Sequence, residues 1–212
     1  MGKAEDNKRA KLERILAAAR DLFRTRGYDG TTMEAIAERA GVAKGSVFFH
    51  ARSKAALLNR VFQVDMERWV GEAFGQPSQP DLLDDLVAKY ASLQIAMCAQ
   101  PDLTRVYMRE VAFADDDFER VKSTMALLLG ETERAIETAK VDHLIADVLD
   151  VPLIAFNLFA SYFMAQLLWL GRAHLTKDDP RDLLRPLFAV QLAPLFPQNE
   201  RPRLLTVVNP SL

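Results

Sequence analysis

The chain has 212 residues, half of them hydrophobic and 26% charged, with a net charge of −2. Those proportions exclude a disordered or low-complexity chain and leave a globular protein with room for one large core, or for a small domain beside a larger one. Cys98 is the single cysteine, which excludes an intrachain disulfide framework and suits a reducing cytoplasm. The segment Met1–Lys11 is charged and lacks an apolar stretch, so no secretory signal is expected and the location implied is cytoplasmic.

Charge is distributed unevenly. Residues 1–60 hold 13 basic and 7 acidic side chains, a balance of +6, whereas the remainder holds 14 basic and 22 acidic ones, a balance of −8. A basic end on an acidic body is the footprint of a protein that offers that end to a polyanion.

Residues 1–7 read as disordered. From Lys8 to Arg26, Leu12, Ile15, Leu16, Ala19, Leu22 and Phe23 recur at helical spacing, and Gly27 ends the run. Thr31-Thr32-Met33-Glu34 fits a capping box with Thr31 as N-cap and Glu34 three residues on. A short helix follows with Met33, Ile36, Ala37 and Ala40 inward. Gly41 ends it, and a second short helix is expected over Lys44–His50. Ser53 is placed to cap a long helix over Lys54–Phe74.

The segment Gln76-Pro77-Ser78-Gln79-Pro80 is the clearest break in the chain. It divides an expected N-terminal domain (1–53) and connecting helix (54–75) from a C-terminal domain (76–212). Further helices are expected over Asp81–Ala99, Asp102–Ala114, Asp116–Lys140, Asp142–Leu149, Pro152–Ala173 and Pro180–Phe196. Pro101, Pro152 and Pro180 suit helix starts, where a missing N–H costs nothing. The uncharged run Val151–Gly171 is long enough to cross a bilayer, but Pro152, Asn157, Ser161 and Gln166 lie in it and Asp147 and Asp150 flank it. The reading preferred is a helix apolar all round because both of its sides are buried.

Two short helices joined by a glycine turn make a helix-turn-helix. Ile36, Ala37, Ala40 and Val47 supply the small wedge between them, and Gly41 takes a backbone conformation that a Cβ resists. The second helix is then free to enter a major groove with its N-terminal residues toward the base edges. About 45 residues, AAARDLFRTRGYDGTT through IAERAGVAKGSVFFH to SKAALL, resemble the DNA-binding region of the tetracycline-repressor (TetR) family.

The resemblance implies roles at the matching positions. Lys44, Gly45 and Ser46 fall where the family contacts bases or nearby phosphates. His50 and Lys54 match phosphate-contacting positions, and Thr32 stands at a helix N-terminus able to donate to a phosphate. Thr31 and Ala43 flank these contacts. Three positions depart from the family: Phe48 replaces a tyrosine, Ala51 replaces an aromatic residue, and Ala43 stands where a hydroxyl cap is common. Phe49 is placed to meet a thymine methyl.

A single helix-turn-helix reads few base pairs, so a homodimer on double-stranded operator DNA is expected. The last two long helices offer its interface, through Leu158, Ala165, Leu168, Leu184, Phe188 and Leu192. The resemblance also implies an effector pocket in the C-terminal domain. Its candidate walls are Tyr90, Met97, Tyr107, Met108, Phe113, Met125, Phe159, Tyr162 and Gln166, since Met and aromatic side chains make adaptable apolar walls and a few polar tips orient a ligand.

No metal site, cofactor-binding loop or nucleophile elbow is apparent among the sequence motifs, so no enzyme and no cofactor are expected. The fold class expected is all-α, a three-helix DNA-binding domain followed by a helical ligand-binding and dimerisation domain. The function expected is a repressor released by a small apolar or amphipathic ligand. A regulator of the same fold without an inducer, and activation in place of repression, stay open at this point.

Overall fold

The computed structural model describes residues 2–112, 118–146, 150–171 and 179–197. Among them the regular structure is helical: α1 (Lys3–Arg26), α2 (Met33–Ala40), α3 (Lys44–His50), α4 (Lys54–Phe74), α5 (Leu82–Cys98), α6 (Pro101–Ala112), α7 (Phe118–Val141), α8 (Val151–Leu170) and α9 (Pro180–Leu192), the last running into a 3-10 turn at Ala193–Leu195.

Two expectations about elements need correcting. The first residues are not coil: α1 begins at Lys3, because Lys, Ala, Glu and Arg are good helix formers and Glu5 and Asp6 sit at its positive end. No helix forms over Asp142–Ala146. The chain turns there, with His143 at φ 58°, and the Ala146 N–H donates to the Leu195 carbonyl at 2.8 Å. Residues 147–149, Phe113 and His174 lie outside the described residues.

The chain separates into two compact units. One runs to Arg68 and adds Met97–Thr124; the other takes Trp69–Ala96 and the residues from Met125 onward. These bounds differ from the domain division expected at Gln76–Pro80. The change of unit falls inside α4, and α6 groups with the N-terminal helices.

In the first unit, Ile15, Ala19, Leu22 and Phe23 of α1 are buried with Ile36 and Ala37 of α2, Val47 of α3, and Leu57, Leu58 and Val61 of α4. Phe62 of α4 stacks on Tyr107 of α6, with ring centroids 4.3 Å apart and planes 6° from parallel. Burial pushes the Tyr107 hydroxyl up to about 12. Arg20 of α1 reaches the carboxylate of Asp65 in α4 at 3.0 Å.

The second unit is built around Tyr90 of α5, which has no exposed surface. Its ring meets Tyr162 of α8 and Phe188 of α9 edge-on, each at 5.0 Å, and Phe74 at 6.2 Å. Its oxygen lies 2.8 Å from that of Thr132 in α7. The Thr132 hydroxyl donates to the Leu128 carbonyl, so Tyr90 is the donor of that pair. Leu86, Leu93, Leu128, Ile136, Leu158 and Leu184 complete this core.

Candidate nucleic-acid interface

The turn between α2 and α3 is set by one glycine. Gly41 lies at φ 64°, ψ 42°; its N–H donates to the Glu38 carbonyl and the N–H of Val42 to that of Ala37. These are the two hydrogen bonds of a Schellman motif, which closes α2 and redirects the chain into α3. At the other end of α2 the cap is Thr32, not Thr31: the Thr32 hydroxyl accepts the Ala35 N–H at 3.2 Å. Thr31 is buried and donates its hydroxyl to the Gly27 carbonyl at 2.7 Å, so it holds the preceding turn and is withdrawn from solvent.

Ile36, Ala37, Ala40 and Val47 are buried, which leaves the opposite side of α3 open. Ala43, Lys44, Gly45, Phe48 and Phe49 are exposed there together with Thr32, and Ser46 is half-buried. A Cβ at Gly45 would meet nothing of the protein within 4 Å, so internal packing does not demand glycine at that place. Ala43 provides no side-chain cap for α3. Phe49 is 73% exposed, and the ammonium of Lys8 in α1 lies 5.8 Å from its ring centre. Sequence reasoning missed Lys8, because it sits where the chain was expected to be just starting to order.

Two basic positions behave differently from expectation. The Lys54 ammonium is held by the Tyr28 carbonyl at 2.7 Å and the Thr31 carbonyl at 3.0 Å, over the Tyr28 ring at 4.2 Å. At least two of its three donors are spent inside the protein, so it fixes the turn ahead of α2 against the start of α4 rather than projecting toward a ligand. His50 is buried at 9% exposure. Burial, followed by the charges of Arg60, Lys8 and Lys11, holds its imidazole below the ordinary histidine value.

The folded state therefore binds fewer protons at His50 than the unfolded chain does. Stability from this group is present above the unfolded value near 6.5 and is lost as pH falls toward the lower folded value. An NMR titration of His50 is expected to show a midpoint below about 6.5; a midpoint at or above it contradicts the buried placement.

Lys44 forms an ion pair with Glu34 of α2, and this pairing, first through the side-chain hydrogen bond, holds the Glu34 carboxyl below the ordinary range. Both side chains are more than half exposed, so the contact is an exchangeable surface pair. Glu34→Gln is expected to raise affinity for any duplex a few-fold, without changing sequence preference, by removing one carboxylate from beside Lys44. Fluorescence anisotropy on two unrelated duplexes checks this, and an unchanged affinity on both rejects it.

The other predicted residues fall as follows. Met97, Tyr107 and Met108 are buried in the first unit; Tyr90, Tyr162 and Gln166 are buried in the second, where Met125 and Phe159 are half-buried. Tyr90 and Tyr162 are brought into contact. Of the interface residues, Leu158, Ala165, Leu184, Phe188 and Leu192 have no accessible surface in the single chain. A side chain already enclosed has nothing left for a second copy to cover, so these five are core. Leu168 alone keeps exposed surface. The accessible apolar face lies on the other side of the same helices: Leu153, Phe156, Met164 and Leu167 with Leu168 on α8, and Leu187 and Val190 on α9. Among the described residues α8 is the one helix long and apolar enough to cross a bilayer, and only a third of its most apolar stretch is buried. Among the described residues, one of its sides is covered, not both.

Two open clefts of about 250 and 500 Å³ lie in the second unit, and Gln79, Asp85 and Lys89 border both. None of the predicted pocket residues lines either one. A further polar side chain escaped sequence reasoning: Gln94 of α5 is wholly buried, and among the described residues neither its amide oxygen nor its amide nitrogen has a hydrogen-bond partner. Leaving such groups unsatisfied costs about 1–3 kcal/mol each. Its signal in the sequence was a lone amide in an apolar run, one helical turn after Tyr90.

Residues 15–61 match the family model of bacterial regulatory proteins, tetR family. Over 105 residues the chain is 31% identical to the HTH-type transcriptional regulator RutR of Escherichia coli (strain K12), covering 48% of this chain and 48% of that protein. Over 70 residues it is 34% identical to the HTH-type transcriptional repressor Rv1474c of Mycobacterium tuberculosis, covering 33% of this chain and 37% of that one. The match thus spans about half the length of the first of these relatives, and less of the second. Two solved structures are similar over most of both chains. FadR of Thermus thermophilus, a TetR-family repressor crystallised with lauroyl-CoA, has a TM-score of 0.70 at 21% identity, covering 86% of this chain and 93% of that one. SmeT, repressor of the Stenotrophomonas maltophilia efflux pump SmeDEF, has a TM-score of 0.62 at 21% identity, covering 88% and 91%. At these identities the likeness establishes the fold.

Proposed function

We propose, on the match of residues 15–61 to the family model of bacterial regulatory proteins, tetR family, that the chain is a transcriptional repressor that binds a palindromic operator as a homodimer and is released by a small amphipathic effector. The observation that carries this reading is the exposed side of α3. Lys44, Gly45, Phe48 and Phe49 face outward from a helix whose other side is locked to α2, on the part of the chain with a charge balance of +6. The open space at Gly45 supports a close approach by a sugar–phosphate backbone.

Two copies paired through the exposed faces of α8 and α9 present two such helices to half-sites on one duplex. An effector that binds better to a dimer whose α3 helices are spaced wrongly lowers operator affinity by that difference, typically 5–150-fold.

The test is a gel shift on the promoter DNA flanking the protein's own gene, run at 50 and 200 mM salt. With about six or more phosphates neutralised per dimer, affinity is expected to drop about a thousandfold between the two. Lys44→Ala should weaken specific binding by about tenfold or more. Absence of any salt-sensitive complex, or full affinity in Lys44→Ala, rejects the assignment of α3 as the reading helix.

A further inference from the structure

We infer that Gln94 is the polar anchor of the effector site, and that the effector carries an adjacent hydrogen-bond donor and acceptor — a lactam, imide, amide or protonated carboxylic acid — on an aromatic or apolar body. The inference rests on the effector part of the reading above. Gln94 has no exposed surface, and among the described residues neither end of its amide has a hydrogen-bond partner. It lies four residues after Tyr90, on the same side of α5.

Tyr90 donates to Thr132, and Thr132 donates to the Leu128 carbonyl, which leaves that chain closed. One helical turn before Gln94, the Tyr90 ring has Tyr162 and Phe188 set edge-on against it. A position needed only for packing would be met by Leu or Met, whose transfer into a core costs no polar desolvation. A carboxamide held there presents an N–H and a C=O side by side in one plane. The group that satisfies both at once is another edge of the same kind, with donor and acceptor adjacent. The aromatic neighbours select a flat or apolar remainder.

The experiment is isothermal titration calorimetry of the full chain with 2-pyridone, benzamide and N-methyl-2-pyridone, repeated on Gln94→Met with melting curves of both proteins. Saturable binding of 2-pyridone and benzamide is expected. Loss of at least about tenfold is expected for the N-methylated compound, which keeps the ring and the acceptor but carries a methyl group in place of the donor hydrogen. Gln94→Met should bind 2-pyridone at least about tenfold more weakly and melt no lower than the wild type, since an apolar side chain replaces an unsatisfied amide.

Equal binding of both pyridones, equal binding to Gln94→Met, no saturable binding of either donor–acceptor probe, or a clearly lower melting temperature for Gln94→Met each overturns the assignment. The wild-type operator gel shift without probe reads the DNA-binding proposal separately, so the two can fail independently.

Discussion

Met164→Asp is expected to sediment as a monomer at low micromolar concentration and to bind operator at least about a hundredfold more weakly than the wild type. Met164 is 55% exposed in the single chain, while its neighbours Tyr162 and Ala165 are enclosed. The substitution therefore leaves the core of the second unit intact, and melting of the isolated chain should change little. In a two-fold contact the same surface faces itself, so each substitution enters twice. A carboxylate buried without a partner costs several kcal/mol, enough to dissolve a contact made mainly of aliphatic side chains. A monomer reads one half-site, which removes most of the operator affinity. A variant that stays dimeric rejects α8 as the interface. A monomer with undiminished operator affinity rejects pairing as the source of specificity.

The sequence was most legible where a local rule decides the structure. Gly41 is the example: a left-handed residue between two short apolar patterns leaves few alternatives, and α3 and α4 begin and end where periodicity and Ser53 put them. The cap of α2 was off by one because Thr31 and Thr32 are equally able to cap. The spacing to Glu34 favoured Thr31, but a tertiary requirement, the hydroxyl of Thr31 on the Gly27 carbonyl, took that residue out of competition. The start of α1 was missed because charged residues read as solvated coil, although the same residues are strong helix formers.

Long-range partners were not legible. Lys54 looks like a projecting cation from its neighbours in sequence, and only the fold brings the carbonyls of Tyr28 and Thr31 to its ammonium. The faces of α8 were also hidden. Its apolar residues are distributed on all sides, so periodicity has no preferred direction and cannot say which side the chain itself covers. The residues chosen as an interface proved to be the covered side. Gln94 was passed over for the opposite reason: one polar residue in an apolar helix gives no pattern, and its lack of partners becomes visible only when its neighbours are in place.

Lys89→Ala is expected to lower the melting temperature by on the order of 10 °C. Asp85 and Lys89 face each other one turn apart on α5, with N–O separation 2.5 Å and side chains 6% and 5% exposed. The Lys89 ammonium also lies 5.9 Å from the Phe74 ring centre. Asp85 accepts a second hydrogen bond, 2.9 Å from the Gln79 N–H, which fastens the Gln76–Pro80 turn onto α5. Removing the ammonium leaves a buried carboxylate with that amide still donating to it and no compensating charge beside it, and such a loss costs about 3–5 kcal/mol. For a chain of this length each kcal/mol moves the midpoint by about 2–4 °C. Replacing both partners, Asp85→Leu with Lys89→Met, removes the charges together and should recover part of the loss. Recovery stays incomplete because the hydrogen bond that fastens Gln79 to α5 is lost with the carboxylate. Thermal unfolding of the three proteins orders them wild type, double variant, single variant. A single variant as stable as the wild type would mean that water reaches this pair in solution, and the turn would then need another fastening.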